Sequence, residues 1–202
     1  MEEQRTEQWF AARLGKVTAS RVSDVMSRTA KGPGASRETY MTQLIAEVIT
    51  GQRGESFSSA AMQWGTDQEP HARAAYELRT REFVDETGFH VHPRISQCGA
   101  SPDGLVLNGL IEIKCPATTT HIEYLVSKRV PAKYQAQMQL QMAVMERPWC
   151  DFVSFDPRMP VDLQLLILRV ERDQTYIDLM EKEVELFLGE MNARIDQLKG
   201  TT

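Results

Sequence analysis

Apolar residues recur at helical spacing towards both ends of the chain and alternate with period 2 through its middle, the layout of helices packed around strands. Residues 7–14 read as a short helix closed by Gly15, and Thr18 to Met26 as a second one capped near Thr18 or Ser20. Glu38 to Thr50 carries Met41, Leu44, Ile45 and Val48 on one face and stops at Gly51. Another helical region starts at Ser59 to Trp64. Thr66-Asp-Gln-Glu69 then has capping-box spacing, with Pro70 in the first turn of a helix through Ala72, Ala75, Tyr76 and Leu78. Glu82 to Ile95 predicts two short strands around Gly88, with His90 and His92 on one side. A second capping box at Thr120 to Glu123 opens a helix to Lys128, and Pro131 takes the first position of a helix to Glu146. Trp149 to Phe155 and Leu163 to Glu171 read as strands, and Asp173 caps a last helix closed by Gly200. The order predicts an α/β fold, a mixed central β-sheet flanked by helices.

The strongest local signal lies in Ser101-Pro-Asp-Gly-Leu-Val-Leu-Asn-Gly-Leu-Ile-Glu-Ile-Lys114. Asn108-Gly109 sits between apolar runs, and that dipeptide supplies the two positive φ angles of a type I′ hairpin turn. Such a turn pairs Leu107 with Leu110, Leu105 with Glu112 and Asp103 with Lys114. Asp103, Glu112 and Lys114 then share one face with three leucines, and Val106, Ile111 and Ile113 take the other. Spacing alone favours a solvated cross-strand ion pair between Asp103 and Lys114. The leucines argue against it, because buried charges are costly unless paired or bound to metal. Two neighbouring carboxylates also repel unless a cation separates them. The sharper reading is a divalent-metal site beside a lysine, with oxygen ligands suited to a hard ion such as Mg²⁺.

Composition narrows the setting. The 202 residues fit one domain over 1–202, and 42% hydrophobic with 25% charged residues is ordinary for a globular chain. No run approaches the roughly 18–20 apolar residues of a membrane span. The polar start, Met-Glu-Glu-Gln-Arg, lacks a signal-peptide core. Three scattered cysteines, Cys98, Cys115 and Cys150, argue against a disulfide framework and for a cytoplasmic setting. They are too few for a four-cysteine iron–sulfur cluster. A net charge of −5 lacks the basic excess of most DNA binders, so any DNA contact needs a local patch or an interior channel.

Each remaining candidate has a blander competitor. Arg13 and Ser20 can form a phosphate site at a helix start, or be a surface arginine and a cap. The basic segment 27–37, with Arg28, Lys31 and Arg37, suits a solvated connector better than a loop reaching for phosphate. Glu69 reads as a capping glutamate and Met62 as a core residue. The His90-x-His92 pair lacks further zinc ligands and reads as an edge strand. The glutamines at 135, 137, 139 and 141 split by helical spacing into the pairs 135/139 and 137/141, most simply on a solvated flank. The acids Glu181, Glu183 and Glu185 of the last helix read as solvent-facing.

Pro102-Asp103 followed by Glu112-Ile113-Lys114 matches the PD-(D/E)xK nuclease signature, and the fuller Ser-Pro-Asp-Gly-Leu … Glu-Ile-Lys-Cys-Pro text resembles the phage lambda exonuclease family, the YqaJ-type viral recombinase nucleases. The Arg13-Leu-Gly-x-Val-Thr-Ala-Ser20 block, Trp64-Gly-x-x-x-Glu69 and Ala136-Gln-x-Gln139 follow the family's order. The resemblance implies a restriction-endonuclease-like core and 5′-to-3′ digestion of one strand of linear duplex DNA to mononucleotides, leaving a 3′ strand for recombination by annealing. It implies Asp103, Glu112 and the Ile113 carbonyl as ligands of one or two Mg²⁺ or Mn²⁺ ions. Lys114 then orients or deprotonates water or neutralises charge, and Glu69 assists the water or a second metal. Arg13, Ser20, Ser101 and Gln137 are implied as phosphate contacts, Gln137 at the scissile end, and Met62 falls where the family separates the strands. It also implies a homotrimeric ring on 5′-phosphorylated ends and a single-strand annealing protein as partner. A restriction- or repair-type endonuclease, or a DNA-end-binding scaffold, remains as an alternative.

Overall fold

The computed structural model describes residues 4–30, 32–54 and 59–200. Helix α1 (Glu7–Arg13) leads into β1 (Val17–Thr18), a 3-10 turn over Ala19–Arg21 and the single-turn α2 (Val22–Val25). A two-residue hairpin, β2 (Arg28–Thr29) and β3 (Gly32–Pro33), precedes α3 (Ala35–Thr50) and α4 (Ala60–Thr80). Strands β4 (His90–Val91), β5 (Cys98–Ala100), β6 (Gly104–Val106) and β7 (Gly109–Lys114) follow. Helices α5 (Thr118–Ser127) and α6 (Ala132–Met145), strands β8 (Trp149–Phe155) and β9 (Leu165–Glu171), and the long α7 (Gln174–Lys199) complete the chain. The main sheet runs β6-β7-β8-β9, parallel only between β7 and β8, and a smaller sheet runs β1-β5-β4. The expected mixed sheet flanked by helices is observed.

Strands β7 and β8 are buried along nearly their whole length because helices cover both faces. Ile111, Ile113, Val153 and Phe155 pack with Ala72 and Tyr76 of α4. Leu110, Cys150 and Phe152 pack with Tyr124 of α5 and Met138 and Met142 of α6. Helix α6 has a second apolar side, since Ala136, Leu140, Ala143 and Val144 pack with residues of α2, α3 and α7. It is therefore buried without interruption from Ala136 to Val144, as expected of a helix wedged between two layers. The solvated flank expected for its glutamines shrinks to Gln135, because Gln137, Gln139 and Gln141 are buried.

Several expected elements are corrected. The helix from Thr18 is replaced at its start by a strand, because β-branched Val17 and Thr18 pair in parallel with Cys98 and Gly99. Tyr40 Oη also accepts from the Thr18 amide at 3.1 Å. The two helical pieces between Ser59 and Leu78 are one helix capped by Ser59, whose hydroxyl accepts from Met62 N. Pro70 sits inside it on the exposed side, and Thr66 is mid-helix, its hydroxyl donating to Met62 O. Thr66 thus caps nothing, and Glu69 is not a capping glutamate. Helix α5 starts at Thr118 rather than Thr120, and between Glu82 and Ile95 only β4 and a bridge from Asp85 to Leu105 form. Segment 27–37 is tied down: Arg28 pairs with Glu183 and Arg37, itself buried, with Glu190 through two hydrogen bonds. Lys31 lies outside the described residues. Glu181 of α7 is buried, paired with His92 and Arg94, rather than solvated.

The hairpin register slips by two residues. Val106 pairs with Gly109, Leu105 with Leu110 and Gly104 with Ile111, which brings Asp103 rather than Leu105 level with Glu112. The positive φ falls on Leu107, at +50°. Gly109 is needed for a different purpose: a Cβ there would lie 2.3 Å from the Trp149 indole, whose Nε1 donates to Asn108 Oδ1 at 3.0 Å. The slip is even, so it leaves every side chain on its expected face.

Candidate active site

Glu112 and Lys114 leave β7 on the side facing α6, and Lys114 donates to Glu112 Oε1. Helical spacing puts Gln137 and Gln141 on the same side of α6, one turn apart. Gln137 Nε2 donates to Glu112 Oε1 at 2.7 Å and Gln141 Nε2 to Oε2 at 2.6 Å. Both carboxylate oxygens are held, and Glu112 is 1% exposed. Asp103 stands beside them, its Oδ2 accepting the Ile113 amide at 2.6 Å. Burial, followed by the Glu112 charge, pushes the Asp103 carboxyl well above its ordinary range, against the pull of Lys114. For Lys114, burial works against the charged form, but Glu112 and Asp103 outweigh it and hold the ammonium above its usual value.

Two acids therefore share one ammonium. Gln141 Oε1, on the amide whose nitrogen holds Glu112, is buried without a hydrogen-bond partner among the described residues. An excess negative charge and oxygen-only donors fit a hard divalent cation, which Asp103, Glu112 and the Ile113 carbonyl could hold. Among the described residues no group of three or more His, Cys, Asp or Glu side chains is arranged for a metal, so the side-chain donors number two. Glu69 does not join them. It is bound by Arg5 at 2.5 Å and by Arg73, one turn on in α4, at 3.4 Å. Its charge still reaches Asp103 and Cys115, whose thiol burial pushes up to about 12.

A second locus lies one turn of chain away. Ser101, two residues before Asp103, accepts from Trp9 Nε1 at 2.9 Å and from Arg13 at 3.1 Å. The Arg13 guanidinium lies 4.1 Å from the Trp9 ring centroid, and that of Arg53 lies 3.9 Å from Phe10. Arg13 lines a cavity of about 600 Å³ with Lys16, Ser20, Arg21, Tyr40, Glu47, Arg53 and Met62. Burial drives the Arg13 guanidinium down to about 10, with Arg53 adding to the effect against Tyr40 and Glu47. The cavity lining sets Arg13, Lys16, Arg21 and Arg53 against the single carboxylate of Glu47, an excess of cationic groups that suits an anion. Ser20 is on the 3-10 turn, its hydroxyl 3.3 Å from that of Thr18. Met62 is 59% exposed on this cavity and is not a core residue.

The structure thus brings together Asp103, Glu112, Lys114 and Gln137, and separately Arg13, Ser20 and Ser101, while Glu69 keeps its own partners. Sequence reasoning missed Gln141 and the Trp9–Ser101–Arg13 link. The first was signalled by its four-residue spacing from Gln137. The second joins residues 92 positions apart and carries no local signal.

Residues 8–148 match the YqaJ-like viral recombinase domain family. Among solved structures, the alkaline exonuclease LHK-Exo from Laribacter hongkongensis is 53% identical with a TM-score of 0.92, the alignment covering 97% of each chain. The same values hold for LHK-Exo in complex with dAMP. A phage related exonuclease from Haemophilus somnus 129PT is 15% identical with a TM-score of 0.73, over 91% of this chain and 96% of that one, a likeness of fold alone. None of the curated proteins matches the chain.

Proposed function

Since the chain belongs to the YqaJ-like viral recombinase family, we propose that it is a Mg²⁺-dependent exonuclease acting on linear duplex DNA in the 5′-to-3′ direction. It releases mononucleotides and leaves a 3′ single strand for annealing. The observation that carries this reading is the adjacency of two oppositely charged loci, the Asp103–Glu112–Lys114 face and the Arg13 cavity, through Ser101. A hydrolytic centre alone would serve an endonuclease as well. A cationic cavity beside it can hold the terminal phosphate and so define an end.

In this proposal Asp103, Glu112 and the Ile113 carbonyl would hold Mg²⁺, or Mn²⁺ in its place. When bound, the ion supplies polarisation of the scissile phosphate and charge neutralisation at the leaving oxygen. Gln137 and Lys114 hold Glu112 until DNA enters. Lys114 then turns its ammonium to the attacking water or to the developing phosphate charge. Glu69, held here by Arg5 and Arg73, would orient the water or help to hold a second ion. Arg13, Ser20 and Ser101 bind the 5′-phosphate, and Gln137 borders the scissile end. A homotrimeric ring with its basic residues inward would reconcile DNA binding with the net charge of −5, and a single-strand annealing protein is the expected partner. Among the described residues no helix is long and apolar enough to cross a membrane.

The test is digestion, with Mg²⁺ or with EDTA, of linear duplexes bearing 5′-phosphate or 5′-hydroxyl, beside a closed circle. The expected result is Mg²⁺-dependent release of mononucleotides, faster from 5′-phosphate ends, with the circle intact. The Arg13→Ala variant should treat both ends alike. Cutting of the circle would point instead to a restriction- or repair-type endonuclease on the same core. No release from any substrate would leave a non-catalytic DNA-end binder.

A further inference from the structure

The catalytic reading uses Gln137 but leaves its neighbour one turn away without a role. Gln141 is 0% exposed on a face of α6 otherwise built from Met138 and Met142 packing on Leu110, Cys150 and Phe152. A methionine or leucine would fill that space without burying a polar group. The glutamine instead donates to Glu112 Oε2 at 2.6 Å and leaves its own Oε1 without a partner among the described residues, an arrangement that costs stability. The two glutamines divide the carboxylate between them: Gln137 and Lys114 bind Oε1, and Gln141 alone binds Oε2.

We propose that Gln141 is a positioning residue that fixes the plane of the Glu112 carboxylate for a divalent cation held with Asp103. The proposal rests on the metal-dependent reading above. Without Gln141, Oε2 has no donor among the described residues and the carboxylate can pivot about its contacts with Gln137 and Lys114. Pivoting moves the lone pairs off the line towards Asp103, where the cation binds. Partners of this kind typically change metal affinity by about 10- to 100-fold when removed.

The test is Mn²⁺ binding to the full chain without DNA, followed by electron paramagnetic resonance, for wild type, Gln141→Met, Gln141→Asn and Asp103→Asn. Gln141→Met keeps length and volume without the amide. Gln141→Asn keeps the amide one methylene short of Glu112, and so remains informative if the first variant folds poorly. Both should bind Mn²⁺ about 10- to 100-fold more weakly. In Mg²⁺ titrations of hydrolysis the apparent KM for the ion should rise by a similar factor while kcat changes less. A purely structural role predicts instead a lowered melting temperature with wild-type Mn²⁺ affinity in the folded fraction, and that result overturns the proposal. The two failures separate cleanly. Wild-type binding that Asp103→Asn does not weaken removes the metal reading itself. Binding that Asp103→Asn weakens but both Gln141 variants leave intact removes only the role of Gln141.

Discussion

The two faces of the β7–β8 pair each bury an acid cluster, and the clusters differ in whether their charges close. Towards α4, Asp151 is 2% exposed and meets Arg169 through two bonds, Nε to Oδ1 at 2.9 Å and a terminal nitrogen to Oδ2 at 3.0 Å. Tyr76 Oη donates to the same Oδ2 at 2.8 Å, and Arg169 lies 3.6 Å from the Trp149 ring centroid. One acid, one base and a full set of donors leave nothing over. Towards α6, Asp103 and Glu112 share Lys114, and the Asp103 carboxyl is pushed well above its ordinary range because one ammonium does not offset burial and the Glu112 charge. A buried acid with its own arginine belongs to the framework. Two acids dividing one ammonium form half of a site whose other half comes from solution.

The largest expected effect strikes the open cluster. Asp103→Ala and Lys114→Ala should each lower hydrolysis by about three orders of magnitude or more, the scale for removing a preorganised charge. Circular dichroism should show the fold retained. Wild-type-like turnover in either variant removes the assignment. The next effect strikes the closed cluster and reads out differently. Asp151→Asn leaves Arg169 without its ionic partner and, because Arg169 is 49% exposed and screened by solvent, should cost about 1 kcal/mol in urea unfolding. The fraction that stays folded should still hydrolyse DNA. If Asp151→Asn unfolds like wild type, the distinction between the two faces fails.

Most of the secondary structure was legible because periodicity reports which side of an element is apolar. α3, β8, β9 and α7 lie where the pattern put them, as does the face shared by Asp103, Glu112 and Lys114. What sequence reasoning lost depended on partners distant in the chain. The Asn108-Gly109 pair carries a hairpin signal, but Trp149 packs so tightly on Gly109 that the turn moves to Leu107-Asn108. Glu69 lies in a capping-box pattern that the continuation of α4 back to Ser59 makes irrelevant. The buried glutamines of α6 looked like a solvated flank because a helix enclosed on two sides gives no amphipathic contrast to read. Of the site, the acids and lysine were visible as a motif. Gln141 had only its four-residue spacing from Gln137 as a signal, and Arg5 on Glu69 and the junction at Ser101 came from the packing.

A fourth variant sharpens the comparison in the absence of DNA. Asp103→Asn relieves the repulsion between Asp103 and Glu112 while keeping shape. Without divalent ions it should therefore raise stability at neutral pH by about 1 kcal/mol, the worth of relieving a modest like-charge repulsion. Adding Mg²⁺ should reverse the order, since an ion that binds only the folded wild-type protein stabilises it by mass action. Thermal melts with EDTA and with Mg²⁺ measure both halves. A variant less stable than wild type in EDTA would show that the two acids are already compensated.

The smallest effect concerns a fourth acid, just past the end of β8, and tests what closure means under titration. Asp156 is fully buried, and Arg158 reaches it with Nε at 2.7 Å, a terminal nitrogen at 3.0 Å and its amide at 3.0 Å. Burial alone would raise this carboxyl, but the hydrogen bonds from Arg158 and Thr118 outweigh it and bring the pKa down to about 2. An unfolded aspartate titrates near 3.9, as a rough reference. The fold thus favours the ionised form, and the stability it contributes is complete above the unfolded value and is lost as pH falls towards about 2. Arg158 is 45% exposed, so solvent screening keeps the contribution to roughly 1 kcal/mol. Urea midpoints for wild type and Asp156→Asn should differ by that amount at pH 5 and converge as pH falls through this window. Mg²⁺ should leave the difference unchanged, because an acid already held by its arginine has nothing to offer a cation. A difference that persists undiminished to the acid end, or one that Mg²⁺ alters, would place Asp156 with the open cluster instead.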